Sequence, residues 1–354
     1  MPVLDILRCL AIILVLFRHY DIIPFLFKGG WIGVDLFFVL SGFLVSGLLF
    51  NEYKKKGSIN PLLFFIRRGF KIYPCFWFVL LTYIKYFQYK HIAFTPKQVF
   101  AELFFIQNFT PSIIGITWTL AVEEHFYLIL VLLTLLAIRK NWILDQRKIV
   151  TGCLCISVIC LSLRAYLSYF RPFNFYVQFF PTYLRLDALF AGVLVSWFYH
   201  FRHNIFLAFF KKYRLILLVY VLAGPLLPFF LDIEDPFLTS AGLTILYSSL
   251  AIGLCILLTI NLNWNHPVFK PFIYIGKCSY PIYLLHLLIG PAVANLFRQK
   301  LLPGAPWYVY GFIYILSAVL SGMLLSVSIE QFFLKIRDRL FPKRLPLITA
   351  SQEY

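Results

Sequence analysis

The chain is built as a series of apolar segments, separated by short loops that are rich in Lys and Arg. A helix needs about 20 apolar residues to cross the hydrocarbon core of a bilayer. Apolar runs of this length therefore indicate transmembrane helices. We therefore predict an all-α integral membrane protein, a bundle of about ten transmembrane helices. The predicted spans are residues 3–19, 31–50, 72–88, 117–138, 149–169, 181–199, 214–231, 238–260, 273–297 and 307–334.

The composition excludes a soluble globular protein. Of the 354 residues, 61% are hydrophobic and 13% are charged, whereas soluble domains are roughly half apolar and about 25% charged. The first apolar segment carries Asp5 and Arg8 and lacks a small-residue cleavage site, so we predict a retained helix and not a signal peptide. Segment 97–109 is too short and polar to span, and it either lies along the interface or re-enters the bundle.

The net charge of +17 comes mainly from Lys and Arg residues in the loops and the tail. No nucleic-acid motif accompanies the basic residues, and no nucleic-acid partner is predicted. Most of them fall in residues 51–71, 139–148, 200–214 and 261–272 and in the tail, which places these regions in the cytoplasm by the positive-inside rule. Both termini are then cytoplasmic.

We expect one membrane domain, residues 1–341, a short cytoplasmic tail, 342–354, and no appended soluble domain. The seven cysteines lack metal-ligand spacing, so free thiols and no metal site are predicted.

Charged residues within predicted spans are candidates for function, because each is costly in lipid. Arg8 and His19 are 11 residues apart, which puts them on one face of the first helix, separated by about 16 Å. Arg8 suits an anionic ligand, and His19 suits a proton acceptor because imidazole titrates near neutrality. Asp35 lies near the same outer end and could hold the imidazole in one orientation. Interfacial anchoring is the structural alternative for all three residues.

The basic turn Arg67-Arg68-Gly69-Phe70-Lys71 is the strongest candidate for a phosphate site. Arg68 and Lys71 are three residues apart and would share one face of a helix. Arg67 adds a third cation, and guanidinium groups bind phosphate in a bidentate manner. The positive-inside rule alone would also explain the cluster.

The stretch Trp118–Tyr127 brings two adjacent carboxylates, Glu123 and Glu124, into an apolar run. Glu123 and Tyr127 share a face at i, i+4, while Glu124 points about 100° away. We expect one Glu to face the interior of the bundle and the other to cap the positive helix N-terminus.

Two further clusters carry polar residues into predicted spans. Arg185 and Asp187 are a candidate ion pair, and Ser279, Tyr283 and His286 form one stripe, which is either a polar helix–helix seam or part of a substrate tunnel. Glu330 is expected to pair with a basic residue.

In this order, the motifs resemble the membrane-bound acyltransferase family 3, which includes O-acetyltransferases of O-antigen, exopolysaccharide and other cell-envelope glycans. The likeness covers almost the whole chain. It rests on Arg8/His19, Gly33–Phe43, Arg67–Pro74, Trp118–Tyr127, Arg185–Gly192 and Ser279–His286. Lys71 departs from the family's usual second Arg, and His125 stands where Gln is common.

The resemblance implies a multi-pass protein of the cytoplasmic membrane, a cytoplasmic acyl-CoA donor (most often acetyl-CoA) and an acceptor hydroxyl on an outer polysaccharide or lipid-linked glycan. It implies that His19 is essential to transfer, as base or transient acyl carrier, assisted by Asp35, Glu123 or Glu124. Arg8, Arg67, Arg68 and Lys71 would hold the donor. Contacts to substrate are predicted for Trp118, Tyr127, Arg185, Ser279, Tyr283 and His286. A glycan or lipid transporter, or a membrane protein without turnover, is the alternative, although transporters usually contain repeats or broken helices.

Overall fold

The computed structural model describes residues 1–260, 262–264 and 266–342, and this part of the chain contains helices and no strand. Of the predicted tail, residues 343–354 lie outside the described residues. The helices are α1 Pro2–His19, α2 Pro24–Gly29, α3 Ile32–Lys56, α4 Pro61–Tyr89, α5 Pro96–Leu103, α6 Trp118–Arg139, α7 Gln146–Phe170, α8 Leu186–Phe201, α9 His203–Ala223, α10 Leu227–Phe230, α11 Leu243–Thr259, α12 Lys270–Lys277, α13 Ser279–Leu296, α14 Trp307–Leu325 and α15 Gln331–Leu340.

Seven helical segments are long and apolar enough to cross a membrane. They are Ile32–Lys56, Trp118–Arg139, Gln146–Phe170, His203–Phe230, Leu238–Thr259, Ser279–Leu301 and Trp307–Leu340. Each coincides with a predicted span. The other three predicted spans lie on α1, α4 and α8. Helix α8 has only 16 residues, about 24 Å at the helical rise. The all-helical membrane fold is confirmed, while the number of ten spans and the orientation stay predictions.

Two predicted cytoplasmic loops are largely helical instead. Helix α3 continues to Lys56 and α4 begins at Pro61, where the Asn60 side chain accepts a hydrogen bond of 3.0 Å from the amide of Leu63. Helix α9 begins at His203. Lys and Arg favour helix and keep their charged ends in water, so a helix extends beyond its apolar run without penalty. The basic turn therefore lies on the first part of α4.

The predicted span 273–297 is also divided, since α12 and α13 meet at Cys278. Helix α12 packs so closely on α1 that a Cβ on Gly276 would come within 1.7 Å of the carbonyl oxygen of Asp5. Beyond this break, α13 packs against α14.

The centre of the bundle is α3, whose apolar stretch is 72% buried, compared with 11% for α7. Helices α3 and α8 approach through Gly42 and Gly192. A Cβ on Gly42 would be 1.9 Å from the carbonyl oxygen of Leu189, and a Cβ on Gly192 would be 2.1 Å from that of Val39. Glycine at both positions lets the two helix backbones approach this closely.

The polar segment after α4 folds back into the protein. Thr95 and Gln98 form a reciprocal cap at the start of α5, and the side chains of Glu102, Gln107 and Asn108 are fully buried. The segment therefore buries these polar side chains and leaves Phe100, Leu103 and Phe104 exposed, so both alternatives, along the interface or re-entering the bundle, stay predictions.

Candidate active site

A cavity of about 130 Å³ gathers many of the charged residues that the sequence singled out. It lies between α1, α3, α4, α6 and α13. Among the predicted site residues, its wall includes Arg8, Arg68, Lys71, Glu123, Glu124, Tyr127, Ser279 and Tyr283. Five helices from different parts of the sequence thus share one internal space.

The two carboxylates of α6 both face this cavity. The Tyr127 hydroxyl donates to Glu123 at 3.0 Å, as their i, i+4 spacing predicts, and the Tyr73 hydroxyl donates to Glu124 at 2.9 Å. The second oxygen of Glu124 is buried and has no hydrogen-bond partner among residues 1–260, 262–264 and 266–342. The prediction that one Glu caps the helix is wrong, because α6 begins at Trp118 and both carboxylates fall in its second turn.

The basic residues of the cavity differ in how they are bound. Arg68 makes no hydrogen bond or ion pair within the described part of the chain, while it lies in electrostatic range of Glu123. Arg8 is 3.7 Å from Asp5 on its own helix. Lys71 lines the cavity and forms an ion pair with Glu330, the basic partner that the sequence led us to expect for Glu330.

Arg67 does not line the cavity. Its guanidinium donates to the carbonyl oxygen of Phe341 at 2.9 Å and to Asp338 at 3.3 Å. These contacts tie the start of α4 to α15. The neighbours Arg67 and Arg68 therefore point to different surroundings, which follows from the 100° between successive helical residues.

His19 lies at the exposed end of α1, outside the cavity wall, and packs against His286 of α13. The centroids of the two imidazole rings are 5.0 Å apart. His286 is fully buried, with Nδ1 at 2.6 Å from the carbonyl oxygen of Tyr283, and its Nε2 has no hydrogen-bond partner in the part of the chain that the structure describes. The Tyr283 ring contacts His286 at 5.6 Å between centroids and also lines the cavity. Tyr283 and His286 thus connect the cavity to His19.

Asp35 is bound elsewhere, and the expectation that it orients His19 is not supported by its position. Its carboxylate lies 2.8 Å from Arg185, and Asp187 lies 2.5 Å from Arg164, with all four side chains buried. The predicted pair Arg185–Asp187 is therefore wrong. Arg164 of α7 is the cation that pairs with Asp187, so Arg185 pairs with Asp35 of α3.

Trp118 belongs to the packing around Arg185 and not to the cavity wall. The Arg185 cation lies 4.6 Å from the ring centroid of Phe179 and 5.8 Å from that of Trp118. Trp118 also stacks on Phe180, with 4.7 Å between centroids. This aromatic enclosure shields the Arg185–Asp35 pair from lipid and water.

Sequence reasoning assigned no role to Arg164 or Tyr73. Arg164 is a single charge within the apolar run of α7, and that isolation was the available signal. Tyr73 follows the basic residues of α4, yet nothing in the sequence shows that it reaches Glu124. Within the described ranges, no group of three His, Cys, Asp or Glu side chains is placed to hold a metal ion.

Comparison with known proteins gives this arrangement a context. The chain is 27% identical to the O-acetyltransferase OatA of Staphylococcus aureus (strain NCTC 8325 / PS 47), over 96% of this chain and 58% of the relative. It is 28% identical to the peptidoglycan O-acetyltransferase OatA of Listeria monocytogenes serovar 1/2a, over 80% of this chain and 48% of the relative. The chain thus spans about half of the length of these curated relatives. No solved structure is significantly similar to it. The family model Acyl_transf_3, described as an acyltransferase domain, matches residues 1–327, so the chain belongs to this acyltransferase family.

Proposed function

We propose that the chain transfers an acyl group, most simply acetyl, from an acyl-CoA to a hydroxyl of a cell-envelope glycan. Membership of the acyltransferase family and the names of the two OatA relatives support the reaction class. The observation that carries the proposal is the cavity. It holds Arg68, whose guanidinium has no hydrogen-bond or ion-pair partner among the described residues, beside two carboxylates, and it reaches His19 through Tyr283 and His286.

The donor phosphates are assigned to the basic side of the cavity. Arg68 is available for bidentate contact, because no described protein group occupies its guanidinium. Arg8 lies further along the same wall, and Lys71 adds a point charge that is shared with Glu330. We give Arg67 a structural role instead, because its guanidinium is bound to α15.

His19 is the proposed base for the acceptor hydroxyl. It takes the hydroxyl proton while the oxygen attacks the thioester carbonyl carbon, and the tetrahedral intermediate then breaks its C–S bond. The proton passes from His19 to the departing thiolate, so the imidazole ends neutral. In the covalent route, a His19 nitrogen first attacks the thioester carbonyl carbon, and the C–S bond breaks to release the CoA thiolate. The acceptor oxygen then attacks the acyl-imidazole, the C–N bond breaks, and the hydroxyl proton passes to the thiolate. Glu123 and Glu124 lie in the cavity and are assigned to the donor side of the site.

The proposed orientation follows from the charged loops. With both termini in the cytoplasm, the Arg68 end of the cavity faces the acyl-CoA pool and His19 faces the acceptor side of the cytoplasmic membrane. The acceptor is proposed to be a polysaccharide or lipid-linked glycan. Peptidoglycan is the first to test, since it appears in the name of the Listeria relative.

The test is a transfer assay on the purified full chain in lipid nanodiscs, with acetyl-labelled acetyl-CoA and peptidoglycan fragments. We expect thioester consumption matched by label in the acceptor. His19→Ala should lower the rate by about 100-fold or more, while His91→Ala, an exposed histidine remote from the cavity, should leave it unchanged.

Full transfer by His19→Ala with the donor still bound would rule out the role of His19. Movement of a glycan across the bilayer without thioester consumption would favour the transporter alternative. Intact thioester with every acceptor tested, and no binding of acetyl-CoA, would contradict the proposed reaction itself.

A further inference from the structure

His286 is the side chain that lies against His19, and we infer that it is the positioning residue of the acyl-transfer site. It accepts the N–H of one His19 nitrogen and thereby leaves the other nitrogen unprotonated toward the acceptor. The inference rests on the proposed function, in which His19 is the base, and it gives His286 the orienting role that we predicted for a carboxylate.

The surroundings of His286 fix which of its nitrogens carries the proton. Its Nδ1 lies 2.6 Å from the carbonyl oxygen of Tyr283, and a carbonyl can only accept, so Nδ1 is the donor. In the neutral ring Nε2 then bears a lone pair. That lone pair is buried and has no partner in the described part of the protein. A buried acceptor of this kind is unfavourable until a donor reaches it.

His19 is placed to supply the donor. The ring centroids are 5.0 Å apart with 52° between the planes. At this separation, nitrogens that face each other from the two rings come within hydrogen-bond reach. The His19 ring is exposed, so it is free to turn its N–H toward His286. Its second nitrogen then points to the open side, where an acceptor hydroxyl arrives.

In the described part of the chain, no carboxylate makes a hydrogen bond or ion pair with His19. Asp35 is bound to Arg185, and Glu123 and Glu124 accept hydrogen bonds from Tyr127 and Tyr73. A second imidazole therefore replaces the carboxylate that orients histidine in hydrolase triads.

The frame that holds His286 is rigid on the cavity side. The Tyr283 hydroxyl donates to the carbonyl oxygen of Ile116 at 2.7 Å and accepts from Thr119 at 2.9 Å. These bonds tie α13 to the start of α6 and fix the carbonyl that binds His286. The position of His286 is thus set by the protein before any substrate binds, as a positioning residue requires.

The test compares three variants of the full chain in nanodiscs. His286→Phe removes the lone pair and keeps a ring, whereas His286→Gln keeps an acceptor oxygen. Tyr314→Phe is the matched control, because the Tyr314 hydroxyl is also buried without a partner and its ring stacks on Tyr20, next to His19. Site-resolved mass spectrometry follows ethoxycarbonylation by diethyl pyrocarbonate, which reports the nucleophilicity of His19 without turnover. The exposed His91 is the internal reference.

We expect His286→Phe to slow modification of His19 several-fold relative to His91, with partial recovery in His286→Gln and no change in Tyr314→Phe. In the transfer assay, kcat should fall by about 10- to 100-fold in His286→Phe, with the donor KM unchanged. A merely structural role would move both constants and the melting temperature.

Equal modification of His19 in the wild type, His286→Phe and His286→Gln would overturn the inference. If His286→Phe does not fold, His286→Leu takes its place, and His19 reactivity equal to that of the wild type in His286→Leu would overturn the inference. A rate of His19 modification in His286→Gln above that of the wild type would overturn it as well. Altered His19 reactivity in a protein that transfers no acyl group would instead support the positioning and contradict the proposed function.

Discussion

Two groups of charged side chains lie inside the bundle, and they differ in whether the oppositely charged members of the group pair with each other. The paired group consists of Arg185 with Asp35, 2.8 Å apart, and Arg164 with Asp187, 2.5 Å apart. The cavity group consists of Arg8, Arg68, Glu123 and Glu124, which line one space, and no ion pair joins its arginines to its glutamates in the described residues.

The difference shows that a charge within a membrane helix has two quite different meanings. In the paired group, the cost of removing each charge from water is offset by its partner, and the four side chains are buried. In the cavity group, the charges keep a space in which a ligand can approach them. The functional signal is therefore an unpaired charge at a cavity rather than the presence of a charge in an apolar run.

The strongest test of the comparison breaks one buried pair. Arg185→Leu should lower the free energy of unfolding by about 3–5 kcal/mol, because it leaves the Asp35 carboxylate buried without a cation. The thermal midpoint in detergent and the yield of folded protein measure the effect. The double variant Arg185→Leu/Asp35→Leu should recover much of the loss, because both charges are then absent.

Near-wild-type stability of Arg185→Leu would show that water or another group compensates Asp35. A double variant no better than the single one would show that Arg185 acts through packing against Phe179 and Trp118 and not through its charge.

The second test separates the neighbours Arg67 and Arg68. Arg68→Gln should weaken acetyl-CoA binding by about 10- to 100-fold, since a hydrogen bond to a charged group contributes about 1.5–3 kcal/mol. Its thermal midpoint should stay near that of the wild type, because Arg68 has no described protein partner. Equilibrium binding of labelled acetyl-CoA to the nanodisc-embedded chain measures the affinity.

Arg67→Gln is the matched control. Its partner Asp338 is exposed, so the loss of stability should be below about 1 kcal/mol, and donor affinity should change little. Equal losses of affinity in the two variants would assign the donor phosphates to the whole basic turn, and unchanged affinity in Arg68→Gln would remove the donor from this cavity.

The sequence predicts more of the helices than of their contacts. Apolar run length locates the spans, and helical spacing correctly brings Arg68 and Lys71 to one wall and Tyr127 to Glu123. Both of these relations lie within one helix, where geometry is fixed by the 3.6-residue period.

Contacts between residues of different helices could not be predicted from the sequence. Asp35 and Arg185 are 150 positions apart, and their pairing depends on how α3 and α8 are rotated at their glycine contact. The meeting of His19 with His286 likewise depends on the packing of α13 against α1. A single sequence shows which residues are charged and how they are spaced, but it does not show how packed helices are rotated relative to each other. Candidate residues of the site can therefore be identified from the sequence, whereas their partners on other helices cannot.

Glu102 is a third kind of buried ionisable side chain, because its carboxyl has hydrogen-bond partners and no cationic partner among the described residues. Its carboxyl accepts from the amide of Ile114 at 2.9 Å and contacts the Thr117 hydroxyl at 2.8 Å. The same hydroxyl lies 2.7 Å from the carbonyl oxygen of Ile114. One hydroxyl proton cannot serve both acceptors, whereas a protonated Glu102 donates to Thr117 and frees that proton for the carbonyl. Burial accordingly raises the pKa of Glu102 to about 7.

This carboxyl gives the smallest predicted effect, and its sign follows from the raised pKa. The folded state holds the proton more tightly than the unfolded chain, so the stabilisation is complete at acidic pH and is lost as pH rises through about 7. Glu102→Gln mimics the protonated acid. Between pH 6 and 8 the wild type should therefore lose about 1 kcal/mol of stability relative to Glu102→Gln. Chemical denaturation of both proteins at each pH measures the difference, and contributions common to both cancel. A constant difference across this range would show that Glu102 is ionised in the folded protein, which would move it from the hydrogen-bonded kind of site to a buried charge without a cation.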